Sequence, residues 1–227
     1  MCCQKKEVKD TGDISFSVST MVQATMLMMA SIIAVCGYQS CQSGKFVCTL
    51  EDFPDISHVM GGPPLNKLYS IMLTIYSCTK QAEARAYHHR LSTFVSPLVN
   101  GFLLFCAAVS CFFGPLIGFF DCYYDMKHHM FATTCFTVGE IAYIFVLVYL
   151  IASNRSQFDA SANSSINLCV YALILVMIDG VLMNLGRDYL GISINQIGEW
   201  IAFYSDFFVR IQLSLIIRYK SVVVPQE

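Results

Sequence analysis

The chain has 227 residues, of which 56% are hydrophobic and only 13% charged, with a mean hydropathy of +0.56. Soluble globular chains carry roughly 25% charged residues, so there is too little charge here to cover a soluble surface, and the hydrophobicity excludes intrinsic disorder. A formal charge of −2 gives no electrostatic footprint for nucleic acid. What remains is an all-α, polytopic membrane protein.

A helix needs about 20 mostly apolar residues to cross about 30 Å of hydrocarbon, and six segments meet that need. A short tail, residues 1–15, carries Lys5, Lys6 and Lys9 behind Cys2 and Cys3, a weak S-palmitoylation signal. The first span, Phe16–Gly37, reads as a signal anchor, because its apolar stretch has no small-residue cleavage site. Residues 38–66 form the long outer loop. Its Pro54, Gly61, Gly62, Pro63 and Pro64 predict a fixed, turn-rich path that can hold Ser57 and His58 near a lipid headgroup. The second span, Leu68–Ala84, is the most polar, with Ser70, Thr74, Ser77, Thr79 and Lys80. The third, Thr93–Phe120, contains Asn100 and two prolines, Pro97 and Pro115, that predict kinks. The fourth, Met130–Ser153, follows His129 and contains Glu140. The fifth, Ile166–Gly186, contains Asp179, and the sixth, Ser193–Ile217, leads into a tail at residues 218–227. Residues 16–217 thus form one six-helix membrane domain.

Orientation follows from Lys and Arg near the span ends. With the N-terminus in the cytoplasm, nine of them (Lys5, Lys6, Lys9, Lys80, Arg85, Arg90, Arg155, Arg218, Lys220) lie inside and four (Lys45, Lys67, Lys127, Arg187) outside. Both termini are therefore expected in the cytoplasm. The sequons at Asn154 and Asn163 then lie on the cytoplasmic side, and sugar on either would invert the topology.

Most of the eleven cysteines fall inside spans, where cysteine behaves as a small apolar residue. Cys41, Cys48 and Cys122 lie on the outer side, where a disulfide can form. Cys41–Cys48 would close a small loop and Cys48–Cys122 would join two loops, and the spacing leaves the pairing open. No His/Cys ligand spacing points to a metal, and no motif points to a cofactor.

Ionisable residues inside a membrane are costly and mark functional candidates. In the sixth span Asn195, Glu199, Asp206 and Arg210 fall at about 0°, 40°, 20° and 60° around the helix. They share one face, which must point into the bundle, and Asp206 and Arg210 can form an i,i+4 ion pair. His129 and Glu140 share a face in the same way. Helical rise separates an outer cluster, His129 with Glu199, from a deeper one containing the Asp206–Arg210 pair. His129 and Glu199 are the candidate catalytic pair for proton transfer beneath a lipid headgroup. Ser57, His58, Asn100 and Asn195 are candidate binding residues. The alternative is that all of these are interhelical hydrogen bonds holding the bundle together.

Several motifs carry a family resemblance. Phe53-Pro54-Asp55-Ile56-Ser57 followed by Gly61-Gly62-Pro63-Pro64 resembles the "P-x-I-S … G … P-P" signature of the Frag/DRAM/Sfk family of six-span membrane proteins. Asn100 in the third span, His129 opening the fourth and Glu199-Trp200 in the sixth fall in the same order, and Arg85–Arg90 resembles the family's Arg/Tyr-rich second-span exit. Leu65 stands where the family has an acidic residue, and residues 121–129 are more polar and aromatic than its pattern. The resemblance implies a protein that acts on or with membrane lipid. One branch remodels the lipid of GPI-anchored proteins in the endoplasmic reticulum and Golgi, and is the leading expectation. A second branch modulates autophagy at the lysosome. A third is a plasma-membrane scaffold for a phosphatidylinositol 4-kinase, for which the tails and a basic Lys80–Arg90 loop would carry the partner.

Overall fold

The computed structural model describes residues 11–49, 52–186 and 194–218, with side chains from 16–49, 52–178 and 196–218. The helices are α1 (Thr11–Gln42), α2 (Ile56–Met60), α3 (Leu65–Leu91), α4 (Pro97–Phe119), α5 (Met126–Ser153), α6 (Asn163–Gly186) and α7 (Ile194–Arg218). Among the described residues there is no strand. Five of the helices are long and apolar enough to cross a membrane. The remaining long helix, α3, is too polar to qualify by composition, yet its 27 residues reach about 40 Å.

Local chemistry sets the helix starts. The Ser96 hydroxyl accepts from the Val99 N–H at 3.5 Å and Pro97 fills the first turn, where its missing N–H costs nothing. Pro97 therefore opens α4 instead of kinking it. Pro115 does lie inside α4, and the Ser70 hydroxyl donates to its carbonyl at 3.1 Å, fastening α3 to α4 there. Asp125 caps α5 through the His128 N–H, which starts that helix four residues earlier than expected and draws His129 into its first turn.

The second span departs most from expectation. Helix α3 continues past Ala84 to Leu91, so Lys80–Arg90 is helix and not loop. Lys80 is 1% exposed and belongs to the bundle interior, not to the cytoplasmic charge count. Arg90 is tied down too, since its guanidinium donates to the Ile216 carbonyl at 2.8 Å, and the Tyr87 hydroxyl donates to the Leu213 carbonyl at 2.7 Å.

The six long helices close into a ring in which α3 packs between α1 and α4, α5 follows α4, and α6 and α7 lead back to α1. Close approach needs small residues. A Cβ on Gly118 would meet the Ser70 backbone at 2.5 Å, and one on Gly139 would meet the Ser110 N at 3.0 Å. The outward face of α4 shows Leu98, Phe102, Phe105, Phe112 and Phe119, all exposed, as lipid contact requires.

Inside the ring are two apolar clusters. One gathers Met26, Met29, Met60, Met72, Ile117 and Phe207 near the first loop. The other gathers Leu91, Leu103, Leu147, Ile166 and Leu213 toward the opposite end. Five charged residues of α3, α5 and α7 fall between the two along the chain of each helix: Lys80 and Glu83, Glu140, and Asp206 and Arg210. The bundle is therefore apolar, polar, apolar along its length.

Candidate functional site

The outer site is assembled by two loops. Asp55 caps the short α2, its side chain accepting from the His58 N–H at 2.7 Å. The second loop then binds the first at three points. The Asp121 carboxylate accepts from the Gly62 N–H at 2.9 Å, the Cys122 thiol donates to the Ser57 carbonyl at 3.2 Å, and the Tyr123 hydroxyl donates to the His58 carbonyl at 3.1 Å. This explains the polar, aromatic character of residues 121–129. Gly61 is the residue that permits the closure, because a Cβ there would lie 2.7 Å from both Cys122 Sγ and the Tyr123 ring.

Ser57 is fixed by this arrangement at the mouth of the bundle, and its hydroxyl faces His129. His129 Nδ1 lies 2.8 Å from the Phe120 carbonyl and 3.0 Å from the Ile117 carbonyl. Both partners only accept, so Nδ1 carries the hydrogen, and in the neutral ring Nε2 has a free lone pair. Ser57 Oγ is 3.2 Å from Nε2 and donates to it. His129 is 4% exposed, so its ring cannot swing away from this geometry cheaply. A hydroxyl bonded to an imidazole whose far nitrogen is pinned is the arrangement that activates an oxygen nucleophile.

Glu199 reaches the same residue by another route. Its carboxylate accepts from the backbone N–H groups of Ile56 and Ser57 at the start of α2. The sequence pairs His129 with Glu199, and the structure instead puts Ser57 between them: its hydroxyl on the imidazole, its amide on the carboxylate. The Trp200 indole N–H donates to the Pro54 carbonyl at 2.9 Å and its ring sits over Gly37 of α1, where a Cβ would be 2.7 Å away. Trp200 and the stacked Tyr204 divide two apolar grooves. One, about 620 Å³, runs between Leu168, Tyr171 and Leu175 of α6 and Phe208 of α7. The other, about 320 Å³, lies against Ala34, Tyr38 and Phe53.

The remaining candidates separate. His58 is turned to Asp55, with Nδ1 2.7 Å from the carboxylate, and stacks edge-on against Tyr123; it does not join His129. Asn100 lies at the opposite end of the bundle, where its amide donates to the His88 carbonyl at 2.8 Å, so it belongs to the α3–α4 corner and not to the outer site. The side chains of Asn195 and Asp179 lie outside the described residues. Of the three outer cysteines, Cys41 and Cys48 form the disulfide. Cys122 is a free thiol, and burial first, then the Asp121 and Asp55 carboxylates, push it up to about 11.

The deeper polar layer is larger than an Asp206–Arg210 pair. Arg210 Nη1 is 2.6 Å from Glu83 and its Nη2 meets Glu140, while Asp206 is the more distant partner at 3.5 Å from Nε. Lys80 bonds Glu140 and the Ser110 hydroxyl. The rings of Tyr76 and Tyr143 cover the Arg210 guanidinium at 5.1 and 5.6 Å. Lys80 and Glu83 carry this layer and are missing from the sequence candidates. Their signal was available: Tyr76, Lys80, Glu83 and Tyr87 fall within about 60° of one another on a helix. Among the described residues no His/Cys/Asp/Glu group is arranged to hold a metal ion.

Comparison with protein-family models, with curated proteins and with solved structures finds no match. The functional reading therefore rests on the residues of this chain.

Proposed function

We propose that the chain is an integral membrane protein of the Frag/DRAM/Sfk type that handles membrane lipid, acting in GPI-anchor lipid remodelling in the endoplasmic reticulum or Golgi. The observation that carries the lipid reading is the Ser57 hydroxyl on the pinned His129 imidazole, at the end of a bundle whose flank offers apolar grooves beside Trp200. A lipid would place its headgroup at the polar site and an acyl chain in a groove, which is the division of chemistry an amphiphile requires. The assignment to GPI anchors rests on the loop motif from Phe53 to Pro64 and on orientation. The Cys41–Cys48 disulfide belongs in an oxidising compartment, which turns the Ser57 end to the lumen and both termini to the cytoplasm. In this reading α3 crosses too, as the second of six spans, carried across by neighbours that cover its polar face.

Deleting the gene should lower GPI-anchored proteins at the cell surface, and restoring the wild-type chain should recover them. Restoring Ser57→Ala or His129→Ala at normal protein level should not. Unchanged GPI-anchored proteins after deletion would refute the proposal; residence in lysosomes with altered autophagic flux would replace it with the autophagy reading.

A further inference from the structure

The polar layer in the middle of the bundle holds two cations, Lys80 and Arg210, against three carboxylates, Glu83, Glu140 and Asp206. Lys80, Glu83 and Arg210 are each 1% exposed or less, and apolar clusters close the layer above and below. An uncompensated charge in such a place loses its hydration with nothing to replace it. One more positive charge is therefore required, and two buried atoms point to where it sits. Glu83 Oε1 and Asp206 Oδ1 are buried and meet neither cation.

Glu140 is held between both cations, which fixes it as ionised. Glu83 makes the short charge-assisted bond to Arg210. Asp206 has the weakest pairing with a cation, at 3.5 Å, is the most open member of the layer at 20% exposed, and lies within hydrogen-bonding reach of the Tyr76 hydroxyl. We propose that this layer is a proton-binding site, with one proton held on the Asp206 carboxylate. Bound there, the proton makes the layer electrically neutral, and it keeps α7 seated against α3 and α5. No ligand other than a proton is needed to balance the charge. From α3 the titratable groups are Tyr76, Lys80, Glu83 and Tyr87, from α5 Glu140 and Tyr143, and from α7 Asp206 and Arg210. Among the described residues α4 adds the thiols Cys106 and Cys111 and α6 the thiol Cys169, and α1 meets this level of α3 through the uncharged Thr25–Thr79 pair.

Infrared spectroscopy of the purified full chain in lipid nanodiscs tests this directly. At neutral pH the wild type should show the C=O stretch of a buried, protonated carboxylic acid. That band should shift when aspartate is labelled with ¹³C at the side-chain carboxyl, and it should vanish in Asp206→Asn, where two cations meet two carboxylates and no proton is needed. An Asp179→Asn control should keep it. Lys80→Met should give a second such band, since a missing cation calls for another proton. A wild-type spectrum with no aspartate-dependent band would overturn the proposal. So would a band that survives in folded Asp206→Asn. If Asp206→Asn does not fold, the isotope shift in the wild type decides alone, with Asp179→Asn excluding the other intramembrane aspartate.

Discussion

Ser57 has two roles at once, and they can be separated by substitution. Its backbone holds the loop, through the carbonyl that takes the Cys122 thiol and the amide that meets Glu199, whereas its hydroxyl touches only His129 among the described contacts. Ser57→Ala removes one hydrogen bond, about 1 kcal/mol, so the protein should fold and reach its membrane while losing its activity on lipid; thermal unfolding in detergent beside a lipid assay checks both halves. Cys122 gives a second residue-level outcome. With its thiol raised to about 11 by burial and by the neighbouring carboxylates, it is protonated at neutral pH, and the thiolate is what reacts. Its alkylation in the folded protein should be slow at pH 8 and rise about tenfold per pH unit until the thiol titrates, as peptide mapping of labelled samples would show. At this scale the sequence named Ser57, His129 and Glu199, and their contacts run through Ser57. Helical periodicity places groups on a face, whereas the contact with Ser57 depends on where a turn-rich loop folds back, which no period encodes.

Among the elements, α3 decides how the bundle works. The face carrying Tyr76, Lys80, Glu83 and Tyr87 is buried and is tied to α5 through Lys80–Glu140 and to α7 through Glu83–Arg210 and Tyr87–Leu213, which is why hydropathy alone undervalues it. The same polar residues that weaken it as a solitary span fasten it into the ring. Its contact with α4 depends on a glycine. Gly118→Ala would push a methyl into the Ser70 backbone at 2.5 Å, where no flexible side chain can yield, and should cost about 1–3 kcal/mol, read as a lower midpoint of thermal unfolding. Gly101→Ala, with nothing within 4 Å of its Cβ, should leave the midpoint unchanged or raise it, since alanine is the better helix former. The limits of the helices were legible to within a turn where a Pro or Asp cap marks them. The end of α3 was not, because basic residues near a span end look like a cytoplasmic loop until their carbonyl partners on α7 are known.

At the scale of the molecule, the two ends have different chemistry. The disulfide and the Ser57 site share one end; Asn154 and Asn163 lie at the other, one α5 length away. A disulfide and an N-glycan both require the lumenal side, so only one end can carry them. Glycosidase treatment should produce no mobility shift, and peptide mapping should recover Cys41 linked to Cys48; a glycan on Asn154 would place the site in the cytoplasm and undo the reading. The all-α architecture with several membrane-length apolar helices was legible in hydrophobic spacing, because that is a property summed over many residues; the orientation is the proposal that the charge bias and the disulfide support. The central claim is that Ser57 and His129 act on membrane lipid at the lumenal end. Mass spectrometry of the lipid released from GPI-anchored proteins tests it most directly, comparing cells that carry the wild-type chain with cells that carry Ser57→Ala at equal abundance. The account predicts that the variant leaves the anchor lipid in the unremodelled composition seen in deleted cells. An anchor lipid identical to wild type in Ser57→Ala would contradict it.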